Sequence, residues 1–405
     1  MTRNLGLQLF VKNQIHTRKA SIFYPASGLR PLASKGVPAI NSETCTIRVY
    51  DRAFNWLAST QSAESVQFTR ELYDAGSFQI VISARAQAAA ALLAPGNIVV
   101  INNDGHRSGI VRDFTAEAAR GGVHFTVRGD TGSGLTRRRV SLPSPDPSQG
   151  GYDRASGPAE SVIKHFVNNN LADPADPARK IPGLTVAPDQ ARGVPVPAQL
   201  RFGTLAADIA GICQYARMGY EIYADCTNAA WIMDVIEGAD RSMSQSANAP
   251  VFFSIKEQNV SDYRYVQNAA NYRNVAYCGG QGENETRLIQ TVGQAAGLDR
   301  FETFIDCGNA AIADLLALGQ IKLADFQSVK TLDLTALPRV FVLGRDYFLG
   351  DTVTAYIADI GLTLDTRVES VTEIWERAAG YTAQARFGSK VPDIFAVLAD
   401  NSVTR

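Results

Sequence analysis

Apolar and polar residues alternate in segments near both ends of the chain, and this period of two is typical of β-strands with one buried face. In the first segment Cys45, Ile47 and Val49 fall on one face and predict a strand. Turn residues separate the segments, so we expect a β-meander at each end of the chain. The predicted strands cover 44–50, 65–70, 76–82, 251–255, 274–278, 301–305 and stretches of 340–387.

The centre of the chain has a helical period instead. A helix is predicted from about Pro158, because proline fits the first turn and an apolar stripe follows (Val162, Ile163, Phe166, Val167). A second helix is predicted to start after Thr204 as its N-cap and to stop at Gly219, burying Leu205, Ile209, Ile212 and Cys213. The segments 220–225 and 231–236 predict a hairpin around Thr227 and Asn228.

A third helix is predicted within the second β-rich part. Asn309 is its expected cap, Gly319 its expected end, and Ile312, Leu315 and Leu316 its inward residues.

Proline and glycine divide the chain into parts. Pro25, Pro31 and Pro38 interrupt residues 1–43, which we interpret as an N-terminal arm. Residues 141–160 are turn-rich and predict a linker, and the six prolines between Asp173 and Pro197 predict an extended loop. The expected division is an arm (1–43), a first β-module (44–140), a central α+β domain (141–249), a second β-module (250–390) and a C-terminal tail (391–405).

The two β-modules share an internal repeat. A turn at Gly96 precedes a β-rich run and two further strands ending near Gly129, and the same order follows Gly350 and ends near Gly388. The copies lie about 250 residues apart, which is far longer than the roughly 20–50 residues of a solenoid repeat. Two similar modules in one chain favour a ring builder. Chance similarity between two amphipathic meanders is the alternative.

Composition narrows the possible functions. The chain has 405 residues, of which 45% are hydrophobic, and its formal net charge is −1. Neither a basic surface for nucleic acid nor a membrane-length apolar run is apparent, and the N-terminus lacks a signal peptide. We therefore expect synthesis in a cytoplasm without signal-peptide export. The five cysteines are scattered and are expected to be free thiols.

Candidate catalytic and metal-binding residues are few. His16, His106, His124 and His165 are not spaced as metal ligands, so neither a metal site nor a cofactor is expected. The glycine-rich segment 278–287 has two glutamates and no lysine, so an exposed turn between strands is favoured over a phosphate cradle.

Acidic and basic clusters also have simple interpretations. The pairs Glu283 with Glu285 and Glu373 with Glu376 are the candidate carboxylates for a glycosidase, but solvent exposure explains each better. The basic run 137–139 could contact nucleic acid, although solvation is the simpler interpretation. No catalytic residue is predicted.

Several motifs in order resemble a siphophage tail-tip or baseplate hub family. They are a Tyr-Asp start at Tyr50, an aromatic-Thr-Arg strand at 68–70, Gly-x-Phe-x-hydrophobic at 76–80, and the stretches 158–184, 279–306 and 349–388. Together they span about 44–390, nearly the whole chain. Residues 1–43 match nothing in that family.

The resemblance implies a fold and a function. The implied fold class is α+β and β-rich, with two related β-barrel-like hub modules flanking a smaller α+β domain. The implied function is structural: a homotrimer forms a ring at the virion tail tip, closes the tail tube and lets DNA pass at ejection. Implied partners are the distal tail ring, the tape measure and the tip fibre or receptor-binding proteins, with no membrane anchor. The chain stops soon after the second module, so no wall-degrading domain is expected.

Two other functions stay open. One is a tail-associated hydrolase of cell-wall or capsule polymer. The other is a carbohydrate-binding receptor module that uses an aromatic platform from Tyr263, Tyr265, Tyr272 and Tyr277, although such tyrosines more often pack as strand faces. If the chain is a hub, we also expect a channel wall without a dense Lys/Arg stripe, with residues 137–139 facing away from the axis.

Overall fold

One continuous sheet contains strands from both ends of the chain. The computed structural model describes residues 45–119, 122–327, 329–337 and 340–388, so the predicted arm and tail lie outside the described residues. The strands of this sheet are β1 Ile47–Tyr50, β2 Trp56–Thr60, β3 Ser65–Glu71, β4 Ser77–Ser83, β5 Ile98–Ile101, β6 Asp104–Ala119, β7 Gly122–Thr131, β13 Asp240–Arg241, β14 Phe252–Phe253, β15 Val260–Asn268, β19 Val329–Ala336, β20 Thr352–Ile357, β21 Leu362–Glu376 and β22 Gly380–Phe387.

The remaining elements form smaller units. They are helices α1 Ala89–Leu92, α2 Ala159–Val167, α3 Leu205–Ala216 and α4 Ile312–Leu323, and strands β8 Asp153–Pro158, β9 Leu184–Val186, β10 Pro195–Leu200, β11 Gly219–Asp225, β12 Ala230–Ile236, β16 Val275–Gly279, β17 Ile289–Val292 and β18 Glu302–Asp306.

The large sheet contains the same five-strand arrangement twice. In the first module the strand order is β3-β4-β7-β6-β5, and in the second it is β15-β19-β22-β21-β20. Each strand therefore has a counterpart at the same place in the other module. The modules differ at their outer edges, where β1 and β2 extend the first, while the short strands β13 and β14 pair with β20 in the second. Among the described strands, no pairing closes either module into a complete barrel.

Irregularities in the strand pairing repeat as well. A β-bulge follows Val111 in the pairing of β6 with β7, and another follows Val368 in the pairing of β21 with β22. Gly96 donates its backbone N–H to Val111 O, and Gly350 donates to Val368 O, each at 2.8 Å. Bulges bend and twist a strand at a fixed place, so a bulge at matching positions indicates a common plan.

The second pair of repeat glycines is shifted by one residue. Gly129 pairs with Val111, while the partner of Val368 is Phe387, so Gly388 lies one position beyond the counterpart of Gly129. The superposition of the two modules stays a prediction, and the strand pairing supports it at Gly96 and Gly350.

The central region packs on the first module. Helices α2 and α3 cover the hairpin β11–β12, and their apolar residues form one core with Ile98, Ile110 and Leu135 of the first module. The helix beginning after Pro158, the position of Thr204 before α3 and the hairpin are as expected from the sequence. Thr204 makes no side-chain cap, however, and α3 ends at Ala216, where Arg217 adopts a left-handed conformation.

Two predicted irregular segments contain strands. The expected linker includes β8, and the proline-rich loop includes β9 and β10. Strand β10 pairs with β8 in a separate two-stranded sheet, so Pro195 and Pro197 occupy an edge strand, where a missing N–H costs little. Proline count alone was therefore a misleading signal.

An insertion between β15 and β19 forms a small α/β unit. Strands β16, β17 and β18 form a separate sheet, and α4 packs on it through Leu315, Leu318 and Leu323. The predicted cap and end of this helix were wrong: the N-cap is Ala311, and Gly319 lies inside the helix. A side chain at Gly319 would collide with Cys278 Sγ, which explains a glycine in mid-helix.

The inward face of α4 also differs from the prediction. Ile312 and Leu316 are about half exposed, whereas Leu315 is fully buried. The predicted fold class, β-rich α+β with two related modules flanking a smaller α+β region, is confirmed. The proposed domain boundaries stay a prediction.

Candidate assembly interface

Strands β21 and β3 join the two modules within the chain. They pair antiparallel over seven residue pairs, from Ser370 with Glu71 to Glu376 with Ser65. Leu72 extends the pairing by donating its N–H to Glu369 O at 2.8 Å. Thr69 and Thr372 face each other across the pairing, with their hydroxyl oxygens 2.9 Å apart. We call this pairing the module junction.

Side chains cross the module junction in both directions. Leu72, at the end of β3, is buried in the core of the second module. Trp375, on β21, is buried in the core of the first module. Because each module contributes to the core of the other, the module junction carries apolar packing as well as backbone hydrogen bonds.

A buried ion pair reinforces the module junction. Glu373 on β21 is completely buried, and Arg107 on β6 binds both of its carboxylate oxygens, at 2.8 and 2.9 Å. The Tyr381 hydroxyl donates to Glu373 at 3.0 Å, and Arg70 Nη2 lies 3.7 Å away. Asp104 also contacts Arg107. Burial alone would lower the pKa of Arg107, but Glu373 and Asp104 raise it above its ordinary value.

The sequence interpretation of Glu373 as solvent-exposed was wrong, although Glu376 is indeed exposed. One signal was available in the sequence. Glu373 shares a strand face with Val371 and Trp375, and a carboxylate in such an apolar row must be paired if it is buried. Its partner Arg107 is 266 positions away in the sequence, so no local spacing could identify it.

A second carboxylate marks the bulge of β21. Glu369 is partly buried, and burial raises its pKa to about 7, against the opposing effects of Arg386 and Arg367. Its counterpart at the bulge of β6 is Arg112, whose side chain is half exposed and lies 3.5 Å from Asp130. The two modules therefore share a bulge but not its chemistry.

At the place where the second module has the junction, no described strand pairs with the first module. Over Asp113–Ala119, β6 pairs with β7 only, and no other described strand occupies its second edge. Residues 112–118 are all exposed, including Phe114 at 43%. Strand β15, the counterpart of β3, likewise pairs with β19 alone among the described strands. We call these two edges the β6 edge and the β15 edge.

Three of the four histidines each lie close to one acidic side chain. His106 Nδ1 lies 3.0 Å from Glu221, His124 Nδ1 lies 2.8 Å from Glu64, and His165 Nε2 lies 2.8 Å from Asp153. No group of three metal-ligating side chains occurs among the described residues. His16 lies outside the described residues.

The glycine-rich segment and the basic run have structural roles. Residues 280–288 connect the antiparallel strands β16 and β17, as expected for an exposed turn. In the basic run, Arg137 Nη2 lies 2.7 Å from Asp74, and Arg139 donates two hydrogen bonds to Arg179 O. These two arginines therefore make specific contacts within the chain.

The four candidate tyrosines do not form one platform. Tyr263 and Tyr265 lie on β15 and are partly buried against the core of the second module. Tyr277 lies on β16 in the insertion, where its hydroxyl donates to Glu302 at 3.0 Å. Tyr272 packs against Phe301 in the same insertion.

The five cysteines are free, as predicted. No helix among the described residues is long and apolar enough to cross a membrane.

Three solved structures of tail proteins, two of them from prophages, have a similar fold. The tail protein of Neisseria meningitidis MC58 aligns with a TM-score of 0.55 at 14% identity, covering 85% of this chain and 97% of that one. The 43 kDa tail protein of prophage MuSo2 from Shewanella oneidensis aligns with a TM-score of 0.52 at 12% identity, covering 85% of this chain and 98% of that one. Prophage tail protein gp18 of Listeria monocytogenes EGD-e aligns with a TM-score of 0.51 at 10% identity, covering 88% of this chain and 98% of that one.

A comparison with curated protein sequences finds no match. A family model matches residues 46–389, which include both modules, the central region and the insertion. This range agrees with the extent of the resemblance found in the sequence. The chain therefore belongs to the Siphovirus ReqiPepy6 Gp37-like protein family, and its fold is that of phage tail proteins.

Proposed function

We propose that the protein is a structural hub of a phage tail tip or baseplate, and that three copies form a ring of six modules. The observation that carries this proposal is the five-strand arrangement that occurs twice in one chain and is joined by the module junction. A chain with two equivalent modules can adapt a six-fold tube to a three-fold tip. Closed cyclic symmetry is the usual arrangement of homo-oligomers.

The ring would close the tail tube and leave a channel for DNA at ejection. The face of the large sheet opposite the two cores carries uncharged polar side chains at the module junction, among them Gln67, Thr69, Gln79, Thr372 and Gln384. Two arginines on this face are held within the chain, Arg128 by Gln79 and Arg386 by Glu71. DNA would slide along such a wall without the salt-dependent attraction that a stripe of lysine or arginine creates. This face is therefore the proposed channel wall.

The basic run would face away from the channel. The contacts of Arg137 with Asp74 and of Arg139 with Arg179 support this placement, because both side chains are already engaged. Neighbouring tail proteins would bind above and below the ring, and the tail tip of the virion would be its location. The function would be carried by interfaces and not by a catalytic group.

Electron microscopy of tails that contain this protein tests the proposal. We expect three copies around the tail axis, with subunit contacts well above the roughly 2,000 Å² typical of obligate interfaces. A single copy or an even-numbered ring would refute the hub assignment. A channel lined mainly by arginine would refute the proposed wall and favour direct DNA binding.

A further inference from the structure

The β6 edge and the β15 edge are counterparts of the two strands that form the module junction. Strand β6 corresponds to β21, because both follow the same turn and carry the same bulge. Strand β15 corresponds to β3, because each stands at the same end of its five-strand order and pairs with the next strand in that order. The chain thus contains one completed pairing and the two separate halves of another.

We propose that the β6 edge of one copy pairs antiparallel with the β15 edge of the next copy, in the register of the module junction. This inference rests on the proposed ring and specifies how its copies bind one another. A strand edge exposes a row of unpaired N–H and C=O groups, so a second strand is the partner that fits it.

The strand pairing within each module fixes the register. Val127 pairs with Phe114 and Ile80, and its counterpart Ala385 pairs with Val371 and Leu334. Following the strand pairing from these residues to the neighbouring strands identifies further equivalent positions in the two modules.

Asp113 and Phe114 correspond to Ser370 and Val371, and Tyr263, Arg264 and Tyr265 correspond to Val66, Gln67 and Phe68. The module junction pairs Ile374 with Gln67 and Trp375 with Val66. The same register between copies therefore places Glu117 opposite Arg264, Ala118 opposite Tyr263 and Ala116 opposite Tyr265.

The charges at these positions are complementary. Glu117 and Arg264 are both exposed, and neither side chain forms a hydrogen bond or ion pair among the described residues. The register was derived from backbone pairing alone, and it places these two opposite charges directly across from each other. A slip of two residues would bring Glu117 opposite either Asp262, which repels it, or Val266. A slip of one residue would exchange the two faces of the strand.

The apolar residues fit the same register. Phe114 is 43% exposed in the single chain, whereas its counterpart Val371 is fully buried at the module junction. Phe114, Ala116 and Ala118 share one face of the β6 edge, and the inferred pairing brings this face beside Tyr263 and Tyr265. Burial of apolar surface would therefore accompany the backbone hydrogen bonds, as it does at the module junction.

The geometry at Glu117 and Arg264 suits a disulfide cross-link. At the module junction Leu72 donates to Glu369 O and Arg377 donates to Glu64 O, so Gln67 and Ile374 fall at a non-hydrogen-bonded position. Such pairs have their Cα atoms about 4.5 Å apart, within the range that a disulfide spans. Glu117 and Arg264 would occupy the equivalent position between two copies.

The test uses the full-length chain carrying Glu117→Cys and Arg264→Cys, assembled in tails and then oxidised. We expect a covalent trimer on a non-reducing gel, because each chain supplies one cysteine to each neighbour. A chain with only one of the two substitutions, which keeps the five native cysteines, should give no trimer. The pairs Glu117→Cys with Val266→Cys and Glu117→Cys with Asp262→Cys are the register controls and should cross-link at least about tenfold less, since both lie two residues out of register.

A charge swap provides the second measurement. Glu117→Arg or Arg264→Glu alone should raise the concentration needed for half-assembly by at least about tenfold, since a trimer contains three such pairs. The double variant should restore assembly. Circular dichroism would show whether each variant folds.

The outcomes separate this inference from the proposed function. If tails contain a three-fold ring but the 117–264 pair fails to cross-link, or a register control links better, the inferred pairing is wrong and the hub assignment stands. If tails contain no three-fold ring, the hub assignment and the inferred pairing both fail.

Discussion

The second halves of β21 and β6 occupy equivalent places in the two modules but have opposite surroundings. Ser370, Val371, Glu373 and Trp375 of β21 are buried because β3 lies beside them. Asp113–Ala118 of β6 are exposed because no described strand lies there. Since the backbone plan is the same, the difference arises from the partner strand. Positions that are buried on β21 and exposed at their counterparts on β6 therefore identify an edge that can bind another strand.

The largest effect is expected at Glu373. Replacing it with alanine removes both hydrogen bonds that the buried Arg107 makes to Glu373 and leaves Asp104 as its carboxylate contact, which should lower the free energy of unfolding by about 3–5 kcal/mol. Denaturant titration of the single chain measures this loss. Glu376→Ala, on the same strand but exposed, is the matched control and should change stability by less than about 0.5 kcal/mol. Equal effects at both positions would contradict the role given to the ion pair.

A matched pair of apolar substitutions compares the two strands directly. Val371→Ala should lower the free energy of unfolding by about 2 kcal/mol, because a fully buried side chain is shortened. Phe114→Ala should cost the single chain at most about 1 kcal/mol, since the ring is 43% exposed and its nearest aromatic contact is Phe125. The same change should weaken ring assembly. A large loss at Phe114 in the single chain would show that its side chain is already fully engaged.

Alanine at the two repeat glycines should also destabilise the second module more than the first. Both have positive φ, +96° at Gly96 and +92° at Gly350, so alanine strains the backbone at either site. At Gly96 the new methyl group meets the end of the exposed Arg52 side chain, which can move. At Gly350 it meets Ile236 and the buried Leu72.

We therefore expect Gly350→Ala to lower the free energy of unfolding by more than about 1 kcal/mol, and Gly96→Ala by less than Gly350→Ala. Thermal unfolding of both variants measures the difference. The reverse order would mean that the turn at Gly96 is the more constrained of the two.

The last prediction concerns the pH dependence of stability and the residues at the two bulges. The pKa of Glu369 is raised to about 7 by burial, so the folded state holds a proton that the unfolded state loses at lower pH. This contribution to stability is full below the ordinary pKa of a glutamate and is lost as pH rises through about 7. Glu369→Gln should remove that slope between about pH 4.5 and 7.

Arg112→Gln is the control for the bulge of β6. It should leave the pH dependence of stability unchanged, because arginine side chains keep their charge throughout this pH range. Denaturant midpoints measured at several pH values check both variants. An unchanged slope in Glu369→Gln would indicate that another group causes it.

The sequence predicted the strands and the repeat better than the pairing between modules. Alternation placed β1, β3 and β4 correctly because each has one buried face. The ends of α4 were wrong because Gly319 serves close packing against Cys278 and does not terminate the helix. Strands β9 and β10 were missed because tertiary pairing overrides the turn preference of proline at a sheet edge.

The candidate interface needed the structure for a different reason. Glu373 and Arg107 come from distant parts of the chain, and only strand pairing brings them together. Similarly, nothing in the sequence around Glu117 indicates that its charge lacks a partner. The repeat itself was visible in the sequence, and it is the feature from which the equivalence of β6 and β21 follows.

The module junction has a consequence for folding during synthesis. Strand β3 leaves the ribosome about 300 residues before β21, which at roughly 5–20 residues per second is an interval of about 15–60 s. During this time β3 has β4 on one side and an open edge on the other, where an identical strand from another nascent chain can bind. Strands β3 and β21 are far apart in the sequence, and contacts between distant residues form slowly. We therefore expect the junction to form last. The yield of folded protein should therefore depend on how many chains are made close together, before any tail assembles.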